Sequence, residues 1–440
     1  MTMAGPTVEL DGRTLEGGGQ LLRIALCLSA LTSTPIHITH IRGNRSGGGG
    51  LKAQHLTCVK WLARACIATV TGAEKGSSEL GFRPGEGDPG GSLGIWRKVI
   101  MADGRKVWEA RCEVGSAGST GLVCQAVLPF VLFTQDLPWL KDGQEEAPIL
   151  LRFSGGTNVS ASPSFDYIQH VLLRTLRFIG CGELTATLGK RGWSQGGNTI
   201  GHWSLLIERR PRLPLPAFKL CKEDYGPGVA GAIEKLTAVL VAPRQCHNTA
   251  RNKLEEALAA IFPNEKIDPD ILVEDSGHPK RLYLLVAIEG LDWLDQSFIG
   301  RDWLYDRKIH DSDAALSEMI EKVVSDLRAD YESATWVDEH LRDQIVIFQA
   351  LAKGRTEAFS GFMSAERNVR REPSLHARTA EWVCRQVLGP AVRFDGDGTC
   401  EGMGFGKPAE EETLETKTNK LDLSRDRDGA RADDSERVIM

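Results

Sequence analysis

"EGGGQLLRIALCLSALT", from Glu16 to Thr32, predicts a glycine-rich turn followed by an amphipathic helix. Leu21, Ala25 and Leu28 recur at helical spacing, so we expect them to share one face that packs into a core. The strand-like "PIHITHIR" follows and leads into a second glycine-rich loop, "RGNRSGGGGLKAQHL", at residues 42–56. The stretch therefore predicts a structural unit that consists of a glycine-rich turn, a helix and a strand.

The same unit recurs along the chain. Further copies begin at "VGSAGSTGLVCQAVLPFVL", at "GGTNVSASPSFDYIQHVLLRTLRFIG" and near "TWVDEHLRDQIVIFQALAKG", with strand candidates such as "ILLRFSG" and "HWSLLIERR" between them. The apolar faces are Leu56, Val59 and Leu62 in the second helix, and Leu341, Ile345, Phe348 and Ala352 in the last. The pattern predicts an α+β fold with several copies of a unit in which helices pack on a sheet.

Two regions depart from the repeat. Residues 211–290 open with the proline-rich "RRPRLPLPAF" and then predict strand, helix and strand, which is typical of a small inserted α/β domain. Residues 1–210 and 291–404 would then form the main domain. Residues 405–440 are charged and nearly free of aromatics, so we expect a disordered tail.

Composition excludes several classes of protein. The 440 residues are 41% hydrophobic and 25% charged, with a formal net charge of -6, which argues against a chain that coats nucleic acid over its whole surface. The ten cysteines form no CxxC pair, which predicts mostly buried thiols in a reducing compartment. The start lacks a signal-peptide core, and the longest apolar stretch, 122–133, is too short for a membrane helix. We expect a nuclear or cytoplasmic protein that is not secreted and does not cross a membrane.

Six motifs in a fixed order resemble the RNA 3′-terminal phosphate cyclase family. They are "EGGGQLLR", the loop at 42–56, "GSAGSTGLVCQ", "GGTN", "EHLRDQ" and "SLHART", and the resemblance covers roughly residues 8–404. It implies repeated units of a β-sheet backed by two helices, with a small inserted domain. It also implies an ATP-dependent activity that converts an RNA 3′-phosphate end into a 2′,3′-cyclic phosphodiester through a histidyl-AMP intermediate, with release of pyrophosphate and AMP.

His376 matches the family's nucleophile. A histidine suits that role because its unperturbed pKa, about 6.5, leaves the ring neutral at working pH. His376 also lies at the expected start of a helix, where free N–H groups favour a phosphate. The resemblance places Glu16 near the metal, Mg²⁺ or Mn²⁺, which would neutralise the pyrophosphate leaving group. The resemblance assigns ATP binding to Gln125, His340, Asp343 and Gln344.

A second set of residues matches the family's RNA-phosphate positions: Arg23, Arg42, Arg45, Gln54 and His55. Arginine forks bind a terminal phosphate bidentately, and bare glycine backbone adds N–H donors. The glycine run is not a P-loop, because no Gly-Lys-Ser/Thr follows it. A flexible surface loop is the alternative reading of this stretch.

The chain departs from the family pattern at several positions. Its loop, "RSGGGGLKAQH", has an extra residue and no prolines, and Lys52 stands where the family has arginine. His340 replaces a usual tyrosine, "SQGGN" replaces Pro-x-Gly-Gly-Gly, and His376 lacks the asparagine that often follows it. Two other functions stay open at this point. One is the family's non-catalytic branch in ribosome biogenesis, and the other is an enolpyruvyl transferase built from similar units.

Overall fold

A computed structural model describes residues 6–45, 48–85, 93–135, 137, 147–221, 232–262, 268–292, 295–363 and 369–406. Within these ranges the chain forms four small sheets covered by helices, so the predicted α+β class is confirmed. The predicted tail at 405–440 lies almost entirely outside the described residues.

The first sheet is built around the glycine-rich motif. Its strands are β1 (Val8–Asp11), β2 (Ile36–Thr39), β3 (Thr69–Thr71) and β4 (Leu80–Arg83), and its helices are α1 (Gly19–Thr32) and α2 (Ala53–Ala65). The strand order is β1-β2-β4-β3, with β1 and β2 parallel and the other pairs antiparallel. A parallel pair needs a crossover, and α1 supplies it.

The second sheet uses the same order with one added strand. Its strands are β5 (Arg97–Ile100), β6 (Lys106–Glu113), β7 (Ile149–Gly155), β8 (Glu183–Lys190) and β9 (Gly201–Arg209), and its helical segments are α3 (Thr120–Phe133), α4 (Phe165–Tyr167), a π-helical turn (Ile168–Leu172) and α5 (Leu173–Phe178). The order is β5-β6-β7-β9-β8, with α3 joining the parallel strands β6 and β7. The segments "ILLRFSG" and "HWSLLIERR" are therefore strands, as predicted.

The third sheet has a different order. After the short β10 (Lys219–Leu220), the chain forms β11 (Ala232–Ala242), α6 (His247–Ile261), β12 (Asp270–Asp275), β13 (Tyr283–Asp292), β14 (Asp295–Leu304) and α7 (Ser312–Glu332). The order is β12-β11-β13-β14. Alternate residues of β11 belong to two cores: Ala238 and Leu240 pack with α6 and α7, whereas Val239 and Val241 pack into the main body. This second core runs from Ile233 to Leu327, and the boundary of the insert at residue 290 stays a prediction.

The last sheet returns to the first pattern. It contains β10 with β15 (Lys353–Ala358), β16 (Arg393–Phe394) and β17 (Thr399–Met403), and its helices are α8 (Glu339–Leu351) and α9 (Leu375–Leu388). The order β10-β15-β17-β16 matches that of the first sheet, again with one parallel and two antiparallel pairs.

Helix α1 lies at the centre of the main core. Every residue from Gln20 to Ala30 is buried, because α2, α3 and α9 all pack against it. The predicted face of Leu21, Ala25 and Leu28 is buried, but the opposite face is buried too, so the helix is central rather than amphipathic. A helix in this position can hold its first turn rigidly, and the predicted site residues gather around that turn.

Most cysteines are buried, as predicted. All ten are free thiols, and only Cys66 and Cys246 are partly exposed. Among the described residues, no helix combines the length and hydropathy that crossing a bilayer requires.

Candidate functional site

Glu16 lies over the first turn of α1. A methyl group on Gly18 would stand 2.0 Å from Oε1 of Glu16, so a larger residue at position 18 would displace this carboxylate. The Glu16 side chain is only 6% exposed, and the guanidinium of Arg45 forms an ion pair with Oε1. Oε2 has no hydrogen-bond partner among the described residues. A buried carboxylate with an unused oxygen, at the positive end of a helix, is suited to hold a cation or a proton.

His376 lies at the start of α9, as predicted. Ser374 caps the helix through a 3.3 Å hydrogen bond from the Ala377 backbone N–H, which places His376 in the first turn with its side chain 51% exposed. Nδ1 of His376 lies 3.9 Å from Oε1 of Glu16. The pKa of His376 is lowered by partial burial and by the positive charges of Arg23 and Arg45, so the ring is neutral at neutral pH.

A threonine fixes the relative position of α1 and α9. The Glu16 backbone N–H donates to Oγ1 of Thr379 over 3.1 Å, and the Thr379 hydroxyl donates to the Leu375 carbonyl over 2.7 Å. The two elements are 363 residues apart in sequence at this contact. Glu16 and His376 therefore face each other because of a buried hydrogen-bonded link rather than a chance surface contact.

Arg23 and Asp343 form the floor of the site. Arg23 is buried, donates to Oε1 of Gln20, and has no acceptor for its Nε among the described residues. Burial lowers the pKa of Arg23 and raises the pKa of Asp343 to about 6, an effect that the Arg23 charge opposes. Asp343 makes no ion pair or hydrogen bond through its carboxylate within the described part of the chain. Two buried charged groups with spare hydrogen-bonding capacity are typical of a ligand-binding site.

The two glutamines also have unused acceptors. Oε1 of Gln125 on α3 and Oε1 of Gln344 on α8 are buried without a partner in the described structure. Nε2 of Gln344 donates to the His340 carbonyl over 2.7 Å, so this side chain folds back on its own helix. Both amides and Arg23 line a small pocket between α1, α3 and α8, with a volume of about 350 Å³ including the solvent at its mouth. Buried amide oxygens require donors, and a ligand can supply them.

His340 stands at the exposed rim of the site. Its ring meets the Tyr167 ring edge-on, with centroids 6.1 Å apart. The Tyr167 hydroxyl donates to Oδ1 of Asp338 over 2.6 Å, and the same oxygen caps α8 by accepting from the His340 and Leu341 backbone N–H groups. The Asp338 cap thus fixes the start of α8 and the direction of His340.

The side chain of Arg42 stabilises the glycine-rich loop through hydrogen bonds to its backbone. Arg42 is buried and donates through NH1 to the carbonyls of Gly48, at 3.1 Å, and Gly50, at 3.3 Å. His55 is also buried and accepts at Nδ1 from the Lys52 backbone N–H, which leaves the proton on Nε2. Burial, with the charges of Arg23, Arg42 and Lys52, lowers the pKa of His55 to about 3, so His55 is a neutral donor.

The predicted residues converge on an open cleft of about 1870 Å³, including the solvent at its mouth. Arg23, Gln125, His340, Asp343 and His376 line this cleft. Glu16 and Arg45 adjoin His376, and His55 lies behind Gly19, where a methyl group would stand 2.6 Å from Nε2. Oε1 of Gln54 lies against Gly118 in the same way, at 2.8 Å. Arg42 supports the loop rather than lining the cleft.

Asn158 is among the cleft residues that lie in the quoted motifs but were not predicted as site residues. Asn158, in "GGTN", is fully buried, accepts from Thr157 Oγ1 over 2.8 Å, and leaves its Nδ2 without an acceptor among the described residues. An asparagine after two glycines was the available signal. Arg301 and Asp302 of β14 also line the cleft, and nothing in the periodicity of that strand indicates this.

The described residues contain no cluster of three His, Cys, Asp or Glu side chains that could hold a metal ion by themselves. Beside His376, Glu16 offers a buried carboxylate oxygen that has no hydrogen-bond partner among the described residues. One carboxylate fits Mg²⁺ when phosphate oxygens of a substrate and water complete the shell. The site therefore fits a cation that arrives with a phosphorylated substrate, but not a resident metal centre.

Known proteins match nearly the whole chain. A profile of a family described as RNA 3′-terminal phosphate cyclase matches residues 14–394. A protein of that name from Methanosarcina mazei is 31% identical over 395 residues, covering 87% of this chain and 95% of the relative. Proteins with the same name from Nitrosospira multiformis and Staphylothermus marinus are 29% and 30% identical, covering 92% and 86% of their own lengths.

Proposed function

Because the chain belongs to the RNA 3′-terminal phosphate cyclase family, we propose that it converts the 3′-phosphate of an RNA into a 2′,3′-cyclic phosphodiester at the expense of ATP. The observation that carries the proposal is the pair of His376, a neutral and half-exposed imidazole, and Glu16, a buried carboxylate 3.9 Å from it. The pair lies beside a cleft lined by polar groups without partners.

His376 acts as the nucleophile. The Glu16 carboxylate lies nearest Nδ1, so it favours the tautomer with the proton on Nδ1 and a lone pair on Nε2. Nε2 attacks the α-phosphorus of ATP, an N–P bond forms, and the bond to the β-phosphate oxygen breaks to release pyrophosphate. Because partial burial and nearby cations lower the pKa of His376, the lone pair is available at neutral pH without a separate base.

The nucleotide lies in the half of the cleft formed by α3 and α8. Gln125 and Gln344 each leave a buried amide oxygen without a donor within the described chain, and Asp343 also lines the cleft. The adenosine amino group and ribose hydroxyls are donors of the kind that these oxygens require. His340 lies at the rim in place of the family's usual tyrosine and contributes an aromatic face.

Glu16 would hold a divalent cation together with phosphate oxygens of ATP. When bound, such a cation neutralises charge on the pyrophosphate leaving group. Arg45 occupies one Glu16 oxygen, and its side chain is 45% exposed, so it can move to solvent or to a substrate phosphate.

In the second step, the AMP group is transferred from His376 to the 3′-phosphate of the RNA. Arg23 and Arg45, with the Nε2–H of His55, provide donors for a 3′-phosphate that approaches His376. A phosphate oxygen attacks the adenylyl phosphorus, the N–P bond breaks, and His376 is neutral again. The adjacent 2′-hydroxyl then attacks the 3′-phosphorus, AMP leaves, and the hydroxyl proton passes to water.

The three sheets that share one strand order support the proposal that the catalytic part is three copies of a unit of one sheet and two helices. The sheet with the order β12-β11-β13-β14 is then the inserted domain. This assignment would extend the insert beyond the predicted residue 290 to include β14, whose Arg301 and Asp302 line the cleft.

The direct test is conversion of a 3′-phosphorylated oligoribonucleotide by the full chain with ATP and Mg²⁺ or Mn²⁺. A cyclic product resists phosphatase and forms together with AMP. Complete phosphatase sensitivity after incubation, under conditions in which a known cyclase protects the end, would refute the proposed function and favour the family's non-catalytic branch.

A further inference from the structure

A second groove lies between α2 and the strands β5 and β6, outside the cleft described above. Its volume is about 1260 Å³, including the solvent at its mouth. We call it the α2 groove, and its charged and aromatic lining consists of Lys60, Trp61, Arg64, Arg97, Glu109, Arg111 and Glu113. It shares no lining residue with the catalytic cleft.

The lining has an excess of positive charge. Lys60, Arg64, Arg97 and Arg111 stand against two carboxylates. One of these, Glu109, is buried and ion-paired with Arg111 and with Arg152 outside the groove. Its charge is therefore already neutralised, and only the Glu113 carboxylate opposes the cations that face solvent. On a chain whose net charge is -6, a local cluster of this sign indicates an anionic ligand.

Two of these cations are free to bind. Lys60 on α2 and Arg97 on β5 are exposed, and neither makes an ion pair or a side-chain hydrogen bond within the described ranges. Arg64 donates to the Gly94 carbonyl over 2.8 Å and is thereby fixed at the far end of the groove. Lys60 and Arg64 are four residues apart on α2, so they point the same way and form a row along the helix.

A buried donor points to the same ligand class independently. Trp61 lines the α2 groove, is 5% exposed, and packs edge-on against Trp96 and Phe130. Its indole Nε1–H has no acceptor among the described residues. An unsatisfied buried N–H costs stability unless a ligand supplies an acceptor, and phosphate or base oxygens are acceptors.

The α2 groove leads away from the proposed phosphate site. The first turn of α2 carries Gln54 and His55, and the groove begins beside them at Ala53 and Thr57. The Thr57 hydroxyl donates to the Glu113 carbonyl over 3.2 Å, which joins α2 to the end of β6. Helix α2 has 13 residues, so the groove follows it for about 20 Å from the 3′-phosphate site.

We propose that the α2 groove binds the phosphate backbone of the RNA strand just upstream of its 3′-phosphate. This inference rests on the proposed function, because that function places the 3′ end at the first turn of α2. A row of cations beside an apolar wall fits a single strand whose phosphates repeat at regular spacing. An acidic peptide offers the same charge but lacks that regular spacing.

The test measures RNA binding without chemistry. A ten-nucleotide RNA with a 3′-phosphate and a 5′-fluorophore is titrated with the full chain, without ATP, across a range of salt. The variant Lys60→Ala with Arg97→Ala is compared with Lys308→Ala with Arg244→Ala, which removes the same charge from exposed positions outside the groove and the cleft. Removing two phosphate contacts should make the slope of log Kd against log salt shallower by about 1.4, and the control pair should leave it unchanged.

Short substrates separate this inference from the proposed function. The groove variant should adenylylate itself and cyclise a 3′-phosphorylated dinucleotide like wild type. Unlike wild type, it should not bind the ten-nucleotide RNA more tightly than the dinucleotide. Equal binding of the ten-nucleotide RNA by the groove variant and the control pair would overturn the inference, as would a wild type that binds this RNA no better than the dinucleotide. Groove-dependent binding of a poly-glutamate peptide without RNA binding would assign the groove to a protein partner. Failure of self-adenylylation with intact groove-dependent RNA binding would refute only the proposed function.

Discussion

Nδ1 of His376 lies 3.9 Å from Oε1 of Glu16, although the two residues are 360 positions apart in the chain. The distance is longer than a hydrogen bond and short enough for the carboxylate to select the tautomer of the imidazole. Arg45 contacts the same carboxylate oxygen, so the charge that reaches His376 depends on where the Arg45 side chain lies.

Arg45→Ala should shift the pH dependence of self-adenylylation. Partial burial, together with the charges of Arg23 and Arg45, disfavours the protonated imidazole, so the folded-state pKa of His376 lies below 6.5. Removing Arg45 takes away one positive charge and frees Glu16 to stabilise the imidazolium, and both changes raise that pKa. The rate of labelling by α-labelled ATP should therefore begin to fall at a higher pH in the variant than in wild type, measured between about pH 5 and pH 8.

Arg209→Ala is the control, because Arg209 is exposed and lies outside the cleft. If the pH at which the labelling rate falls is unchanged in Arg45→Ala, or shifts as far in Arg209→Ala, Arg45 does not act on His376.

Asp343→Asn should stabilise the fold and impair nucleotide use. Burial raises the pKa of Asp343 from 3.8 to about 6, so folding disfavours the ionised form and wild type loses stability as pH rises between these values. Asparagine cannot ionise, so the substitution removes this loss of stability. At about 1.4 kcal/mol per pKa unit, the loss in the free energy of unfolding is at most about 3 kcal/mol above pH 6. Melting curves should show a higher melting temperature for Asp343→Asn than for wild type at neutral pH but not at acid pH. The rate of self-adenylylation should fall in the variant.

Asp268→Asn, at an exposed position, should show neither effect. A variant at Asp343 that gains no stability at neutral pH would mean that the carboxylate is stabilised in the fold by a partner.

Arg42→Ala should loosen the glycine-rich loop. Arg42 donates to the carbonyls of Gly48 and Gly50, and its removal leaves both acceptors, of which Gly50 is buried, without this donor. Hydrogen exchange at residues 48–51 should accelerate, and the KM for RNA should rise, whereas self-adenylylation should change little. Unchanged exchange with a raised KM would indicate that Arg42 contacts RNA directly.

A 3′-phosphorylated oligonucleotide with a 2′-deoxy terminus should trap the second intermediate. The enzyme activates only the 3′-phosphate, and the adjacent 2′-hydroxyl closes the ring. The deoxy end should accumulate as an adenylylated product that carries label from α-labelled ATP, visible as a slower band on a gel. A ribose end should pass to cyclic product with free AMP. Cyclisation of the ribose end without any adenylylated deoxy end would require either 2′-hydroxyl-dependent binding or another route, and capture of both RNAs by His376→Ala separates these cases.

Local features of the fold were predictable from the sequence because they depend on neighbours along the chain. The helical faces at Val59, Leu62 and Ile345 are buried as predicted, and His376 lies in the first turn of a helix. The sequence did not predict that α1 would be buried on every side, since burial of its second face depends on α3 and α9.

Features that depend on contacts between segments distant in sequence could not be predicted in this way. Arg42 matches a family RNA-phosphate position, and that role stays a prediction. The sequence did not predict that its guanidinium also donates to two backbone carbonyls of the loop. The resemblance gave Glu16 and His376 separate roles but did not predict their proximity, because no periodicity connects an N-terminal loop with a C-terminal helix. Asn158 needed the burial of its amide to be recognised.

The central claim is that His376 becomes covalently adenylylated. Incubation with α-labelled ATP and Mg²⁺ or Mn²⁺ should leave label on the protein, labile in acid and stable in base, as expected of a phosphoramidate. His376→Ala should abolish the label, while His37→Ala, at a surface position beside Glu9, should retain it. The account is contradicted if His376→Ala labels as strongly as wild type, or if γ-labelled ATP labels the protein as well as α-labelled ATP does.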